Sequence, residues 1–313
     1  MFINLSRKST YYKLISINKI QIIFMSLKNL IKLIRVRQWY KNLVIFLPII
    51  FSNLLLDPRL LVLTIFAFIS LCFISSSNYI INDIVDIKSD RLHPEKKDRS
   101  IASGKISITT GIFLSIIFII FSFAIAFMLP RFFLYSVLGL FVLNFIYSIF
   151  LKNEPFLDII MVAINFVIRA ISGVFVINRE ISPWLILCPF FLALFLLIGK
   201  READIKFLKE DAYKHKEVLR FYSPEITNNL LTISTTLLII SYSLYAFLSG
   251  RILLLITLPV AIYVIFRYLY LIYSGSIIPR HPEKMYMDIR LLIGSLLWIF
   301  MIILILYFNK FRL

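Results

Sequence analysis

The chain has 313 residues, of which 60% are hydrophobic and only 16% are charged, and its mean hydropathy is +0.89. Soluble domains of this length do not have such a composition, so the sequence excludes that class and predicts an all-α polytopic membrane protein. We attribute the net charge of +17 to basic residues that set the orientation of the protein in the membrane and attract anionic lipids. We do not expect the protein to bind nucleic acid.

The first 24 residues are polar and basic, with only short apolar patches. We predict an N-terminal extension over residues 1–24, followed by one membrane domain over residues 25–313. Met25 is a second plausible start of translation, in which case residues 1–24 would not be translated. The residues after Met25 alternate apolar and basic side chains, which predicts an interfacial amphipathic helix leading into the first span.

Nine apolar runs are long enough to cross the ~30 Å of hydrocarbon in a bilayer. They lie at residues 42–57, 59–83, 107–129, 131–151, 155–178, 183–199, 224–249, 252–273 and 287–308. We therefore predict a bundle of nine transmembrane helices, in which short connections make successive helices antiparallel neighbours.

The basic residues are distributed unequally between the two ends of this bundle. We count 27 Lys and Arg on the side of the N-terminus and the longer loops, six on the other side, and Arg169 within a span. Positively charged loops stay in the cytoplasm, so the N-terminus and the active-site loops are predicted to be cytoplasmic. We expect a multi-pass protein of the cell (inner) membrane.

A stripe of carboxylates and amides, termed the acidic stripe, ends the second apolar run. Asn78, Asn82, Asp86 and Asp90 are four residues apart, and Asp83 precedes Asp86 by three, so a helix would place all five on one face. Carboxylates crowded beside apolar sequence repel one another unless cations neutralise them. Oxygen ligands favour Mg²⁺, with Mn²⁺ as the alternative. We predict metal ligands at Asn82, Asp83, Asp86 and Asp90, catalytic roles for the three aspartates, and substrate contacts from Asn78 and Asn82.

The loop that follows the acidic stripe, residues 91–107 (the basic loop), contains the helix breakers Pro94 and Gly104 and several cations. Its basic residues are Arg91, Lys96, Lys97, Arg99 and Lys105. We predict that the loop folds over a polyanionic substrate and that Arg91, Lys97 and Arg99 contact it. The alternative is that these are ordinary basic residues of a cytoplasmic loop.

Polar residues at helical spacing within later spans predict a polar cavity. Asp158, Asn165 and Arg169 share a helix face, and so do Asn144, Ser148 and Lys152. An Arg in hydrocarbon must face protein or water, so Arg169 either contacts substrate or hydrogen-bonds other helices. Asp158 and Arg169 are separated by about 16 Å of helix, at ~1.5 Å per residue, so we expect no direct pair between them.

These motifs resemble the UbiA superfamily of intramembrane prenyltransferases, whose fold is a nine-helix bundle. Within it, the resemblance is greatest to the decaprenyl-phosphate phosphoribosyltransferase group, and it runs from about residue 30 to the end. It is carried by the acidic stripe, by the segments Arg35-Val36-Arg37-Gln38-Trp39-Tyr40-Lys41-Asn42 and Ile101-Ala102-Ser103-Gly104, by Tyr147-Ser148-x-x-Leu151-Lys152, and by Gly199-Lys200-Arg201-Glu202. The resemblance implies substrate-binding roles for Tyr147, Lys152, Asp158 and Arg169.

The charge of the second loop region favours one group within this superfamily. Prenyltransferases that ionise a prenyl diphosphate carry a second aspartate motif there, whereas this chain has Lys200-Arg201-Glu202-Ala203-Asp204. One acidic arm plus basic residues suits phosphoribosyl diphosphate, with Lys200 and Arg201 clamping its 5-phosphate; the alternative is that the pair anchors a helix end. The implied reaction transfers 5-phosphoribose to a polyprenyl (decaprenyl-like) phosphate and releases diphosphate.

Arg35, Arg37 and Lys41 are candidates to seat the lipid phosphate, or else they are interfacial anchors. Two other functions stay open. Prenyl transfer from a prenyl diphosphate to an aromatic or other acceptor would use acids such as Asp204, Glu210 and Asp211. A polyanion or cation transporter would need ionisable residues along a path through the membrane, whereas these acids gather at one face. The sequence leaves the oligomeric state open.

Overall fold

A computed structural model describes residues 28–208 and 217–308. Within these two ranges the chain forms helices and turns and no β-strand. The predicted N-terminal extension, and the acids Glu210 and Asp211, lie outside the described residues.

Eight helices of the described chain are long and apolar enough to cross a membrane. They are α1 (Pro58–Val85), α2 (Ile108–Phe127), α3 (Arg131–Leu151), α4 (Leu157–Val176), α5 (Pro183–Leu208), α6 (Pro224–Leu248), α7 (Ile252–Tyr273) and α8 (Ile289–Phe308). Each corresponds to a predicted span, so the all-α polytopic class is confirmed.

The predicted span over residues 42–57 is replaced by a broken segment, so the count of nine is not exact. Residues 28–34 are helical, Val36–Phe46 is a 3₁₀-helix, and Leu47–Phe51 is a short α-helix. A 3₁₀ stretch of this length is uncommon because its hydrogen-bond geometry is poorer. The breaks have local causes: Arg35 has a left-handed backbone (φ 55°), Pro48 lacks an amide donor, and Asn53 turns the chain (φ 59°).

This broken segment is packed inside the bundle against α1 and α4. A Cβ on Gly173 of α4 would lie 2.2 Å from the carbonyl oxygen of Ile45, so only glycine permits this backbone approach. Asn42, which is buried, accepts a 2.8 Å hydrogen bond from Nε of Arg169 and donates to Sγ of Cys72. Arg169 therefore makes the interhelical hydrogen bond that was the alternative to substrate contact.

Two apolar cores fill the bundle. One lies around α1 to α4 and contains Leu71 and Phe133; the other lies around α5 to α8 and contains Phe195 and Ile272. The close packing of these side chains against one another holds the helix ends in place. The predicted site residues lie at one end of the bundle, where the two cores meet the polar loops; we call it the site end.

The loops predicted to be cytoplasmic meet at the site end. Glu95 of the basic loop accepts a 2.8 Å hydrogen bond from Arg280, which lies between α7 and α8, and Lys152 after α3 pairs with Asp86. The cytoplasmic location of this end stays a prediction, based on the charge count.

A topology reporter fused at residue 95 or 210 is expected to read cytoplasmic, and one at residue 180 or 250 external, because basic loops resist translocation. Paired alkaline phosphatase and fluorescent-protein fusions measure this, each position serving as the control for the others. Labelling of a cysteine at position 95 by an impermeant reagent on intact cells would contradict the orientation.

Candidate functional site

The acidic stripe lies where α1 ends. The helix runs to Val85, Asp86 leaves helical geometry (φ −88°, ψ 4°), and a short helix, Ile87–Leu92, follows. Asn82 donates a 2.9 Å hydrogen bond to Asp86, as expected for side chains four residues apart. Asp83 and Asp90 are only 3% and 2% exposed. The predicted crowding of acids at the end of a span is therefore present, with a bend inside it.

Basic side chains from three separate parts of the chain neutralise the stripe. Nη1 of Arg99 donates to Asp83 at 3.0 Å and to Asp90 at 2.6 Å. Arg35 also pairs with Asp83, and Lys152 pairs with Asp86. Burial raises the pKa of Asp90, and the charge of Arg99 opposes that shift. Opposite charges at this distance are what allow several carboxylates to share a poorly hydrated site.

The predicted metal ligands do not form one converged set. Within the described ranges, no three acidic, His or Cys side chains lie close enough to hold a single metal ion. The basic side chains divide the stripe into Asp83 and Asp90 around Arg99, and Asp86 beside Asn82 and Lys152. The donor chemistry nevertheless fits a hard divalent cation, because all four predicted ligands offer oxygen.

Asn78 adds a polar group without a partner. Its side chain is 9% exposed, and its Nδ2 has no hydrogen-bond partner among the described residues. A buried amide donor left unpaired costs about 1–3 kcal/mol. A phosphate oxygen would satisfy it, which agrees with its predicted contact to substrate.

The basic loop divides into residues that reach the stripe and residues that do not. Arg91 donates through Nε to the carbonyl oxygen of Ala102 at 3.1 Å and is exposed, so it orders the loop. Lys97 is also exposed. His93 accepts a hydrogen bond at Nδ1 from the amide of Glu95 at 3.1 Å. Among the predicted contacts from this loop, the structure brings only Arg99 to the acids.

Lys96 was predicted as one of the loop cations that face the acidic stripe, although not as a substrate contact. Burial lowers the pKa of its ammonium group, and the charge of Arg99 lowers it further. The charges of Asp90, Asp86 and Asp204 act in the opposite direction and raise it. Lys96 is half-buried and lies within the electrostatic influence of these acids. A single lysine in a basic loop has no sequence signal that separates it from its neighbours.

The affinity for an anionic substrate is expected to fall at alkaline pH, because Lys96 loses its proton there. Its lowered pKa means that it loses its proton, and its attraction to phosphate, at a pH below the ordinary lysine value of ~10.4. The KM for the phosphorylated substrate, measured from pH 7 to 10, should rise in the wild type. Lys96→Arg should move part of the rise to higher pH, and Lys96→Ala should remove that part; an unchanged profile in Lys96→Ala would contradict the assignment.

A second cluster surrounds Asp158, which is 0% exposed. Its carboxylate accepts hydrogen bonds from Nη2 of Arg201 at 2.7 Å and from the hydroxyl of Tyr222 at 2.5 Å. Burial, and then the bond to Asp158, raise the pKa of Tyr222. As expected, Asp158 does not pair with Arg169. One half of the predicted phosphate clamp, Arg201, is thus held by a buried carboxylate.

Lys200, the other half of the clamp, has different surroundings. It is half-buried, and its ammonium makes no hydrogen bond or ion pair with the residues that the structure describes. Its charge interacts with Lys41, Asp204 and Glu283. A Cβ on Gly199 would lie 2.5 Å from Cδ1 of Ile272, so this glycine brings the end of α5 against α7.

Arg280 is a residue that sequence reasoning missed. Nε of Arg280 donates to Asp204 at 3.0 Å, Nη2 donates to Glu95 at 2.8 Å, and the guanidinium lies 3.7 Å from the ring centroid of Phe207. Arg280 is 7% exposed. It joins α5, the basic loop and the α7–α8 connection, a junction that no local pattern predicts.

The remaining predicted residues lie between these clusters. The charges of Arg201, Asp158 and Asp86 act on the hydroxyl of Tyr147. Arg35 stacks 4.8 Å over the ring of Tyr79 while it pairs with Asp83. The structure thus places Arg35 in the acidic stripe rather than at a separate lipid seat.

The sequence profile of the UbiA prenyltransferase family matches residues 46–292. Decaprenyl-phosphate phosphoribosyltransferase of Corynebacterium glutamicum is 31% identical over 222 residues, covering 70% of this chain and 67% of the relative. The protein of that name in Mycolicibacterium smegmatis is 31% identical over 226 residues, covering 71% of each chain.

Among solved structures, a UbiA homologue from Archaeoglobus fulgidus bound to GPP and Mg²⁺ superposes with a TM-score of 0.68 at 22% identity, over 89% of this chain and 99% of that one. This likeness concerns the fold. The profile match covers most of the chain and shows that the protein belongs to the UbiA prenyltransferase family. The protein is therefore a multi-pass membrane enzyme of that family.

Proposed function

We propose that the protein transfers 5-phosphoribose from phosphoribosyl diphosphate to a polyprenyl phosphate and releases diphosphate. The observation that carries this is the contrast between two neighbouring clusters at the site end. One holds the three carboxylates of the acidic stripe. The other presents Lys200, whose ammonium makes no ion pair or hydrogen bond with the described residues and is influenced by the charges of Asp204 and Lys41. A substrate with a diphosphate at one end and a monophosphate at the other matches that arrangement.

The two described acids of the second region, Glu202 and Asp204, are engaged elsewhere, which weighs against prenyl transfer from a prenyl diphosphate. Asp204 pairs with Arg280, and Glu202 accepts a hydrogen bond from Thr227 and pairs with Lys206. A second metal-binding arm would need such carboxylates turned toward the stripe. The curated relatives named above carry the name of the phosphoribosyl activity, which supports the same choice.

A divalent cation would be held by Asn82, Asp83, Asp86 and Asp90, and it would supply charge stabilisation for the departing diphosphate. The solved homologue bound to GPP and Mg²⁺ supports a divalent cation as the cofactor. Arg99 and Lys152 lie on the same carboxylates and would contact diphosphate oxygens once these basic groups leave the acids. Asn78 would donate its unpaired amide to one of those oxygens.

The chemical step needs little proton transfer. A polyprenyl phosphate oxygen is already anionic at neutral pH and attacks the anomeric carbon of the ribose. The bond from that carbon to the diphosphate oxygen breaks, and positive charge develops on the sugar, as in glycoside hydrolysis. What the enzyme contributes is the placement of two anions in one site and the stabilisation of the leaving group.

The test is a direct comparison of donors and acceptors with the purified protein in detergent. Radiolabelled phosphoribosyl diphosphate with polyprenyl phosphate should give a labelled lipid product, and chelator should abolish it. Prenyl diphosphate with 4-hydroxybenzoate should give none. The reverse result would assign the protein to prenyl transfer, and turnover of neither pair would reject both functions.

A further inference from the structure

The acidic stripe carries its own counter-charges. Its three carboxylates, Asp83, Asp86 and Asp90, are paired with three basic side chains, so the charges of these six groups sum to zero. Arg99 has the central place, because its single nitrogen Nη1 donates to Asp83 at 3.0 Å and to Asp90 at 2.6 Å. This guanidinium nitrogen therefore lies where a cation shared by the two carboxylates would lie.

The basic groups are more exposed than the acids with which they pair. The side chains of Asp83 and Asp90 are 4% and 2% exposed, whereas that of Arg99 is 25% exposed. Arg35 pairs with the same oxygen of Asp83, Oδ1, that accepts from Arg99. A hydrated cation from solution would thus have to displace charge-assisted hydrogen bonds before it could bind either carboxylate.

The backbone that carries Arg99 is anchored on both sides. Its amide donates to the carbonyl oxygen of Lys96 at 2.9 Å, and its carbonyl oxygen accepts from the amide and the hydroxyl of Ser103 at 2.9 and 2.7 Å. Two residues further on, Ile101 is 1% exposed and packs with Leu33. Arg99 can therefore leave the acids by rotation of its side chain, while the basic loop stays in place.

The charge balance makes the binding of a divalent cation conditional. A divalent cation alone would add two positive charges to a group whose net charge is zero, and it would leave the displaced basic side chains without partners. Diphosphate removes both obstacles, because its oxygens accept hydrogen bonds from guanidinium and ammonium groups and its negative charge compensates the cation. The two ligands should therefore bind with positive coupling, each raising the affinity for the other by the same factor.

We propose that Arg99 is a placeholder for the divalent cation: it holds Asp83 and Asp90 until diphosphate arrives, so the stripe binds the cation tightly only together with diphosphate. The ligand that the stripe recognises is then the complex of cation and diphosphate, rather than the free ion. This inference rests on the divalent cation of the proposed function, and it holds for a phosphoribosyl donor and a prenyl donor alike.

The experiment measures binding rather than activity. Binding of Mn²⁺ to the purified protein in detergent is followed by the loss of the electron paramagnetic resonance signal of the hydrated ion. Binding of radiolabelled inorganic diphosphate is measured by equilibrium dialysis with and without Mn²⁺. In the wild type, Mn²⁺ alone should bind weakly, and it should raise the affinity for diphosphate by about 5- to 150-fold, the usual range of coupling between two ligands.

Arg99→Gln should bind Mn²⁺ alone at least about five-fold more tightly than the wild type, and the coupling between Mn²⁺ and diphosphate should shrink. Arg99→Lys keeps the positive charge and should stay close to the wild type in both measurements. Lys105→Gln is the matched control, since it removes one positive charge from an exposed position of the same loop and should leave Mn²⁺ binding unchanged. Thermal unfolding in detergent verifies that each variant is folded.

An Arg99→Gln protein that binds Mn²⁺ no more tightly than the wild type would overturn the placeholder. So would a wild type whose affinity for diphosphate is the same with and without Mn²⁺, a result that does not depend on the folding of any variant. A protein that shows the coupling but turns over only a prenyl diphosphate would instead overturn the proposed function and leave the placeholder in place.

Discussion

Replacing Asp83, Asp86 or Asp90 by asparagine is expected to reduce turnover at least about 100-fold, because losing one group that stabilises developing charge costs ~2.7–4 kcal/mol. Asparagine keeps an oxygen that can accept the hydrogen bonds of Arg99 or Lys152, so the variants should still fold. The charge that holds a divalent cation is what they lose.

The measurement combines turnover as a function of Mg²⁺ concentration with thermal unfolding in detergent. Asp98→Asn is the matched control, since Asp98 is an exposed aspartate of the same basic loop. Among the three variants, Asp83→Asn should lose the most stability, because Asp83 is buried between two guanidinium groups. Undiminished wild-type turnover in excess chelator would contradict the assignment, as would an equal loss in Asp98→Asn.

Lys200→Ala and Arg201→Ala are expected to have different effects, although the residues are adjacent: the first on substrate binding and the second on stability. Lys200→Ala should fold normally and raise the KM for phosphoribosyl diphosphate by about ten-fold to over a hundred-fold, the range expected for one charge-assisted phosphate contact. The KM for polyprenyl phosphate should stay nearly unchanged. Lys206→Ala, six residues further along α5 and 38% exposed, is the matched control.

Arg201→Ala should instead destabilise the protein by about 3–5 kcal/mol, because it removes the guanidinium that pairs with the buried carboxylate of Asp158. Asp158 is 0% exposed, and its carboxylate also accepts a hydrogen bond from the Tyr222 hydroxyl. Thermal unfolding in detergent checks this, and Asp158→Asn combined with Arg201→Ala should recover part of the loss. An Arg201→Ala protein of wild-type stability with only a raised KM would restore Arg201 to the phosphate clamp.

The local properties of the sequence determined the membrane class, the positions of the eight long helices and the acidic stripe. Apolar runs of about 20 residues define spans without reference to any partner, and residues four apart share a helix face wherever the helix lies. The stripe could therefore be found from Asn78 to Asp90 alone. Pro48 was also visible in the sequence, but the apolar run around it concealed that the first span is broken.

Only the tertiary structure decided which charges meet. Arg201 bonds Asp158 across 43 positions, Arg35 bonds Asp83 across 48, and Arg280 bonds Glu95 across 185. Those pairings depend on how helices and loops pack, and sequence spacing contains no information about them. For the same reason the sequence placed Lys200 and Arg201 in one clamp, whereas packing gave Arg201 a buried carboxylate and gave Lys200 no ion pair with the described residues.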